Sequence, residues 1–133
     1  MTVLVMLAGS ASGEVLVLDE PLSMWGGLDP TTGEIIDRRH PQAGAVVSGR
    51  ILVMPTGRGS SSSSTVLAEA IRIGTAPAAI VLAEADDIVL LGAIVAEELY
   101  GKTCPVLVVD AETFGALTTG MVVEVTERGL FVQ

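Results

Sequence analysis

The chain is nearly without aromatic residues, with one Trp, one Tyr and two Phe among 133. Its core therefore has to be built from Val, Leu, Ile and Ala, and the 50% hydrophobic content is enough to build one. A single cysteine, Cys104, excludes an internal disulfide and reads as a small core residue. With a single histidine, His40, it also excludes a zinc or iron–sulfur site assembled from this chain alone. Basic residues are scarce, 7 Lys and Arg against 16 Asp and Glu, for a net charge of −9. That balance argues against nucleic acid and anionic membranes, which are held by basic patches. A small anion remains possible where a local arginine and a helix start outweigh the global field. No apolar run approaches the ~20 residues of a membrane span. The apolar start, residues 1–8, lacks the basic residues of a signal peptide and reads as a strand. The expectation is one soluble, cytoplasmic domain over residues 1–133.

What the chain does have is serine, concentrated in one place. Pro55-Thr56-Gly57-Arg58-Gly59 is followed by Ser60 to Ser64, with a strand-like Ile51-Leu52-Val53-Met54 before it. After it comes a helical pattern with Val66, Leu67, Ala70 and Ile71 on one face. Serine runs are commonly linkers. This one stands mid-chain between two pieces of one core, where a linker has nothing to join. Glycines admit close backbone approach, serine caps helices, and a helix start favours an anion. One cap needs one serine, so five point to a ligand or catalytic site.

Residues 2–8 and 14–19 read as two strands joined by the turn-rich 9–13. The stretch 22–37 is dense in turn formers and holds the only tryptophan. It reads either as a packed hairpin loop anchored by Trp25 or as a loop lining a site. Arg38-Arg39-His40-Pro41 is the one cluster of positive charge, a solvated patch or a docking or substrate-carboxylate contact. No spacing marks His40 as a catalytic base. Residues 45–54 read as a buried strand with Gly49 at a bulge, followed by a helix to about Gly74, a strand over 78–83 and a helix over 89–100. The apolar side of that second helix takes Val89, Leu90, Ala93, Ile94, Val95 and Leu99. A strand over 105–110, a helical turn over 113–117 and a hairpin over 121–132 finish the chain. Three strand-like runs end in an acid (Asp19, Glu84, Asp110), for which ordinary strand-end chemistry is sufficient. The order implies an α/β fold, a mixed sheet with hairpins and packed helices.

Three pieces carry a resemblance: Pro21-Leu22-Ser23-Met24-Trp25-Gly26-Gly27-Leu28-Asp29-Pro30, Gly57-Arg58-Gly59-Ser60-Ser61-Ser62 and Gly74-Thr75-Ala76-Pro77-Ala78-Ala79-Ile80-Val81. Together they resemble the small subunit, or swivel domain, of the aconitase X family, over nearly the whole chain. The resemblance implies a swivelling β/β/α fold and a hydro-lyase that works only with a large subunit, as a heterodimer or larger assembly. That subunit's own cysteines carry the iron–sulfur cluster. It implies a small hydroxy-acid substrate: cis-3-hydroxy-L-proline in bacterial members, mevalonate 5-phosphate in archaeal ones. The family's catalytic serine follows a glycine, which corresponds to Ser60, with Ser61 and Ser62 beside it. Where relatives such as isopropylmalate isomerase have arginine after two serines, this chain has Ser62, which passes anion binding to Arg58 together with Gly57 and Gly59. Asp29 resembles an aspartate on a loop of aconitase-type swivel domains. The Ala-rich, Lys-poor composition leans towards the hydroxyproline enzymes. Two other classes compete. One is a non-catalytic anion-binding module built on the serine loop. The other is a swivelling phosphocarrier, which would need a histidine near Leu91 that this chain lacks.

Overall fold

Ile51, Leu52, Val53 and Met54 are all completely buried, yet they alternate between two separate apolar clusters. A strand has a side-chain period of two, so such a run belongs to a sheet covered on both faces. The computed structural model describes residues 2–133, and Met1 lies outside them. Its order is β1 (Val3–Leu7), β2 (Ala11–Val17), a distorted turn α1 (Met24–Gly27), β3 (Leu28–Asp29), β4 (Glu34–Ile35) and β5 (Ile51–Met54). Then follow α2 (Ser62–Ile73), β6 (Ala79–Leu82), α3 (Asp87–Tyr100), β7 (Val106–Val109), α4 (Ala111–Ala116), β8 (Val122–Thr126) and β9 (Gly129–Val132).

The main sheet has seven strands in the order β1-β7-β6-β5-β2-β8-β9. Strands β2, β5, β6 and β7 run parallel, with Ile51 opposite Val15 and Ala79 and Ile80 opposite Val106. Strands β1, β8 and β9 are antiparallel additions. β2 is the corner: residues 11–14 pair with β8 and residues 15–17 with β5. One face carries α2 and α3 over Leu52, Met54, Ile80 and Leu82. The other encloses Ile51, Val53, Val81 and Leu107 under β8, β9 and Leu117. The two helix-free edges curl towards each other, so that Gly129 of β9 lies against Val3 of β1. The layers are therefore β/β/α.

The expected N-terminal hairpin does not form. Both sides of β2 are taken by β5 and β8, and β1 pairs instead with β7, with Val3 opposite Val109. The link 8–10 reaches at most ~14 Å. Four strand spacings in a flat sheet amount to ~19 Å, so this short link itself demands the curl. The strand expected over 45–54 is confined to Ile51–Met54. Gly49 sits not in a bulge but in a turn at φ +71°, closed by the Arg50 N–H donating to the Val47 carbonyl. α3 buries Val89, Gly92, Ala93 and Ala96, while Ile94 and Leu99 are exposed. Its close approach to α2 explains the shift in face: a methyl on Gly92 would lie 2.8 Å from the Ser64 carbonyl oxygen. The C-terminal hairpin forms as expected, with Val125 opposite Leu130. Two of the three strand-end acids serve local structure, Asp110 capping α4 through the Thr113 N–H and Asp19 accepting from Gln42. No helix among the described residues is long and apolar enough to cross a membrane.

Candidate functional site

β5 delivers the serine run to the carboxyl edge of the parallel strands, the edge at which open α/β sheets place their ligands. Pro55 takes two backbone N–H groups, from Ala83 and Glu84, which ties the start of the loop to the end of β6. Gly57 forms an isolated parallel bridge with Leu22, laying the loop alongside the segment that follows β2. Gly57 is glycine for a packing reason: an added methyl would lie 2.7 Å from Asp86 Oδ2 and 2.8 Å from Val89. Asp86 cannot yield, because its Oδ1 accepts the N–H groups of Ile88 and Val89 at 2.9 Å as the N-cap of α3. Gly59 has φ +107°, and a methyl there would lie 2.5 Å from the Ser23 hydroxyl.

The five serines are not equivalent. The Ser63 side chain is buried, receives the Trp25 N–H at 3.2 Å and shares a hydrogen bond with Ser23 at 3.3 Å. Ser64 donates to the Ser61 carbonyl at 2.6 Å. These two are structural. Ser60, Ser61 and Ser62 are exposed, and none of their hydroxyls has a partner among the described residues. The Ser63 N–H is spent on the Ser60 carbonyl and the Ser64 N–H on that of Ser61. Those of Ser61 and Ser62 have no acceptor among the described residues, and they stand at the start of the twelve-residue α2. A helix start with free N–H groups and free hydroxyls is an anion site by construction.

Beside it a cleft of about 400 Å³ is lined by Ser23, Trp25, Asp37, Arg39, Arg58 and Gly59. It adjoins a smaller one of about 210 Å³ that adds Glu20 and His40. Arg58 pairs with Glu20 at 3.8 Å and Arg39 with Asp37 at 3.3 Å. The Arg39 backbone N–H, followed by its guanidinium, holds the Asp37 carboxyl below the usual carboxylate range. Trp25 is 63% exposed and lines the cleft, so it is not the anchor of its loop. Leu22, Met24 and Leu28 are the buried residues that fix that segment. His40 is buried with both ring nitrogens in use. Nδ1 accepts the Gln42 N–H at 3.0 Å, which leaves Nε2 to donate to the Glu20 carbonyl at 3.0 Å. It positions the arginine cluster and has no nitrogen free for a proton transfer.

The structure thus brings Gly57, Arg58, Gly59, Ser60, Ser61 and Ser62 together in one loop. Asp29 stands in the β3–β4 hairpin, its carboxylate accepting the Thr31 N–H and hydroxyl. The Thr31 hydroxyl is the main cause of its lowered pKa. It lines neither cleft. Sequence reading missed the pairing of Ser23 with Ser63 and the place of Glu20 in the cleft. A further cavity of about 520 Å³ is a mainly apolar groove between α2 and α3, lined by Ser64, Ala68, Val95 and Leu99. Among the described residues no cluster of His, Cys, Asp and Glu fits a metal ion. Cys104 is fully buried, which pushes its thiol up to about 12, so this donor set does not fit an iron–sulfur cluster.

The cis-3-hydroxy-L-proline dehydratase of Pseudomonas aeruginosa is 55% identical over 101 residues, 76% of this chain and 17% of that protein. The phosphomevalonate dehydratase small subunit of Methanothermobacter thermautotrophicus is 46% identical over 88 residues, 66% of this chain and 67% of that one. A crystal structure of Thermococcus kodakaraensis aconitase X in its holo form superposes with a TM-score of 0.85 at 34% identity, covering 97% of this chain and 94% of that one. The chain spans only 17% and 20% of the length of the two hydroxyproline dehydratases it matches. A family model described as the aconitase X swivel domain matches residues 1–132. With the β/β/α layers and the serine loop in place beneath that match, the chain belongs to the aconitase X swivel domain family.

Proposed function

We propose that residues 1–133 act as one swivel domain, the small subunit of a cytoplasmic hydro-lyase that dehydrates cis-3-hydroxy-L-proline. Ser60 takes the proton from carbon. A large subunit completes the enzyme as a heterodimer or larger assembly and carries the iron–sulfur cluster, and no residue of this chain is assigned to hold it. The observation that carries this reading is the sorting of the serine run, in which Ser60 stands exposed and unpartnered one residue before the α2 cap. The 55% identity to the Pseudomonas protein supports the choice of substrate.

In a dehydration a C–H bond and a C–O bond break, a C=C bond forms, and the hydroxyl departs as water. Serine at its free pKa is a weak base, so its alkoxide has to be stabilised. Two preorganised N–H donors are worth about 3 kcal/mol each in a water-excluded site. Together that is roughly four pKa units at 1.36 kcal/mol per unit. The free N–H groups of Ser61 and Ser62, the α2 dipole and the Arg58 guanidinium are the groups at hand. All are exposed in this chain, so the full effect requires a second wall that excludes water. Gly57, Gly59, Ser61 and Ser62 shape the anion end of the site, and Asp29 holds the turn of the β3–β4 hairpin through Thr31.

A second reading, mevalonate 5-phosphate as substrate, is favoured by relatives such as the Thermococcus kodakarensis phosphomevalonate dehydratase small subunit, 39% identical over 90% of this chain. Affinity purification of the tagged chain from its source, followed by assay of both compounds, tests the proposal. A larger, cysteine-rich partner and loss of cis-3-hydroxy-L-proline are expected. A chain that purifies alone and binds carboxylates or phosphates without turnover is an anion-binding module, and the proposal is then wrong.

A further inference from the structure

The cleft beside the serine loop carries both signs of charge in equal number: Arg39 and Arg58 against Glu20 and Asp37. A site for a purely anionic substrate has no use for two carboxylates on its wall, since like charges side by side repel. Neither ion pair is tight. Arg58 and Glu20 are 3.8 Å apart and each about half exposed, and the Arg39 side chain is 93% exposed. Pairs of this kind contribute little to the fold, so either partner can be given up to a ligand at small cost. Trp25 adds a second, independent sign. It is 63% exposed on the same wall, in a chain with only four aromatic residues, and packing does not account for it. An indole face attracts a cation and covers an apolar ring.

We propose that this cleft is a subsite for a small zwitterion, in which Glu20 and Asp37 take the ammonium of a cyclic imino acid, Arg39 and Arg58 take its carboxylate, and Trp25 covers the ring. The proposal rests on the dehydratase reading above and sharpens it: Glu20 and Asp37 become the residues that select an imino acid over a phosphate ester. Gly59, the chain neighbour of Ser60, lines the same cleft.

The test uses the assembled pair of this chain with its large subunit. The Ser60→Ala substitution is included so that substrate is bound and not consumed, and Kd is read by calorimetry. The probes are cis-3-hydroxy-L-proline, the ring analogue 2-hydroxycyclopentane-1-carboxylate, which lacks the nitrogen, and mevalonate 5-phosphate. Adding Glu20→Gln or Asp37→Asn is expected to weaken hydroxyproline binding about tenfold each, the loss of one charged hydrogen bond. The analogue should bind weakly and be unaffected. Arg39→Gln should weaken both. Glu20→Gln guards against misfolding, because the Glu20 side chain holds only Arg58. Unchanged hydroxyproline affinity in both acid variants overturns the proposal, as does preference for the phosphate ester or no binding of any probe. If the unsubstituted pair turns hydroxyproline over while Glu20 and Asp37 prove irrelevant, the dehydratase reading stands and the subsite fails. If binding depends on them but no water is lost, the subsite stands and the dehydratase reading fails.

Discussion

The buried Ser63 hydroxyl receives the backbone N–H of Trp25 at 3.2 Å and meets the Ser23 hydroxyl at 3.3 Å. One serine of the run is thus spent on fastening the tryptophan loop, which lines the cleft, to the first turn of α2. Ser63→Ala orphans a part-buried N–H and should cost about 1–3 kcal/mol. Ser62→Ala, at an exposed hydroxyl without a partner, should stay within about 0.5 kcal/mol. Urea unfolding of the two variants checks this. Equal effects would mean that the serines are interchangeable.

Gly57→Ala should destabilise the chain. The new methyl meets Asp86 and Val89 at under 3 Å, and Asp86 is pinned by its two cap hydrogen bonds. Overpacking of this kind costs about 1–3 kcal/mol, a fall in Tm of about 3–10 °C for a domain of this size. Asp86→Ala removes the Asp86 part of the clash, leaving Val89, and also removes the cap, at about 1 kcal/mol. In the double variant the combined loss should therefore be smaller than the sum of the two single losses, since the new methyl then meets only Val89. Calorimetric melting of the four proteins reads this out.

Cys104 should be inert in the native chain. Burial raises its thiol from an ordinary 9.0 to about 12, so a maleimide at pH 8 should label it only after denaturation. The same shift gives a pH dependence of known sign. The folded pKa lies above the unfolded one, so the contribution is complete below pH 9. Above that the unfolded chain loses its proton while the folded chain keeps it. Stability from this group therefore falls between pH 9 and about 12, and Cys104→Ala should flatten that part of the profile.

Much of this arrangement was legible in local pattern. The serine run reads correctly as a helix start, because Ile51–Met54 before it and the 3.6-residue periodicity behind it leave little else. The parallel β/α core follows from the same alternation. What pattern could not show was partnership at a distance. Nothing near β1 says that it pairs with β7, more than ninety residues on, because β2 is equally apolar and nearer in sequence. Trp25 was open to two readings because size suggests an anchor, whereas Leu22, Met24 and Leu28 fill that place. The serines look identical in the chain and are separated only by what folds against them, Ser63 inward and Ser60 outward. Gly57 and Gly59 read as room for a ligand, and pattern could not show that each also has a close neighbour inside the protein, Asp86 for one and Ser23 for the other.

The most direct measurement is turnover by the reconstituted pair carrying Ser60→Ala, with Ser61→Ala and Ser62→Ala beside it. A proton acceptor contributes about 10²–10⁴-fold to such a step. Ser60→Ala should lose at least that much in kcat while assembly with the large subunit and substrate Kd stay as before. The other two should lose far less. Retention of kcat within a few-fold in Ser60→Ala, with the pair intact, would contradict the account.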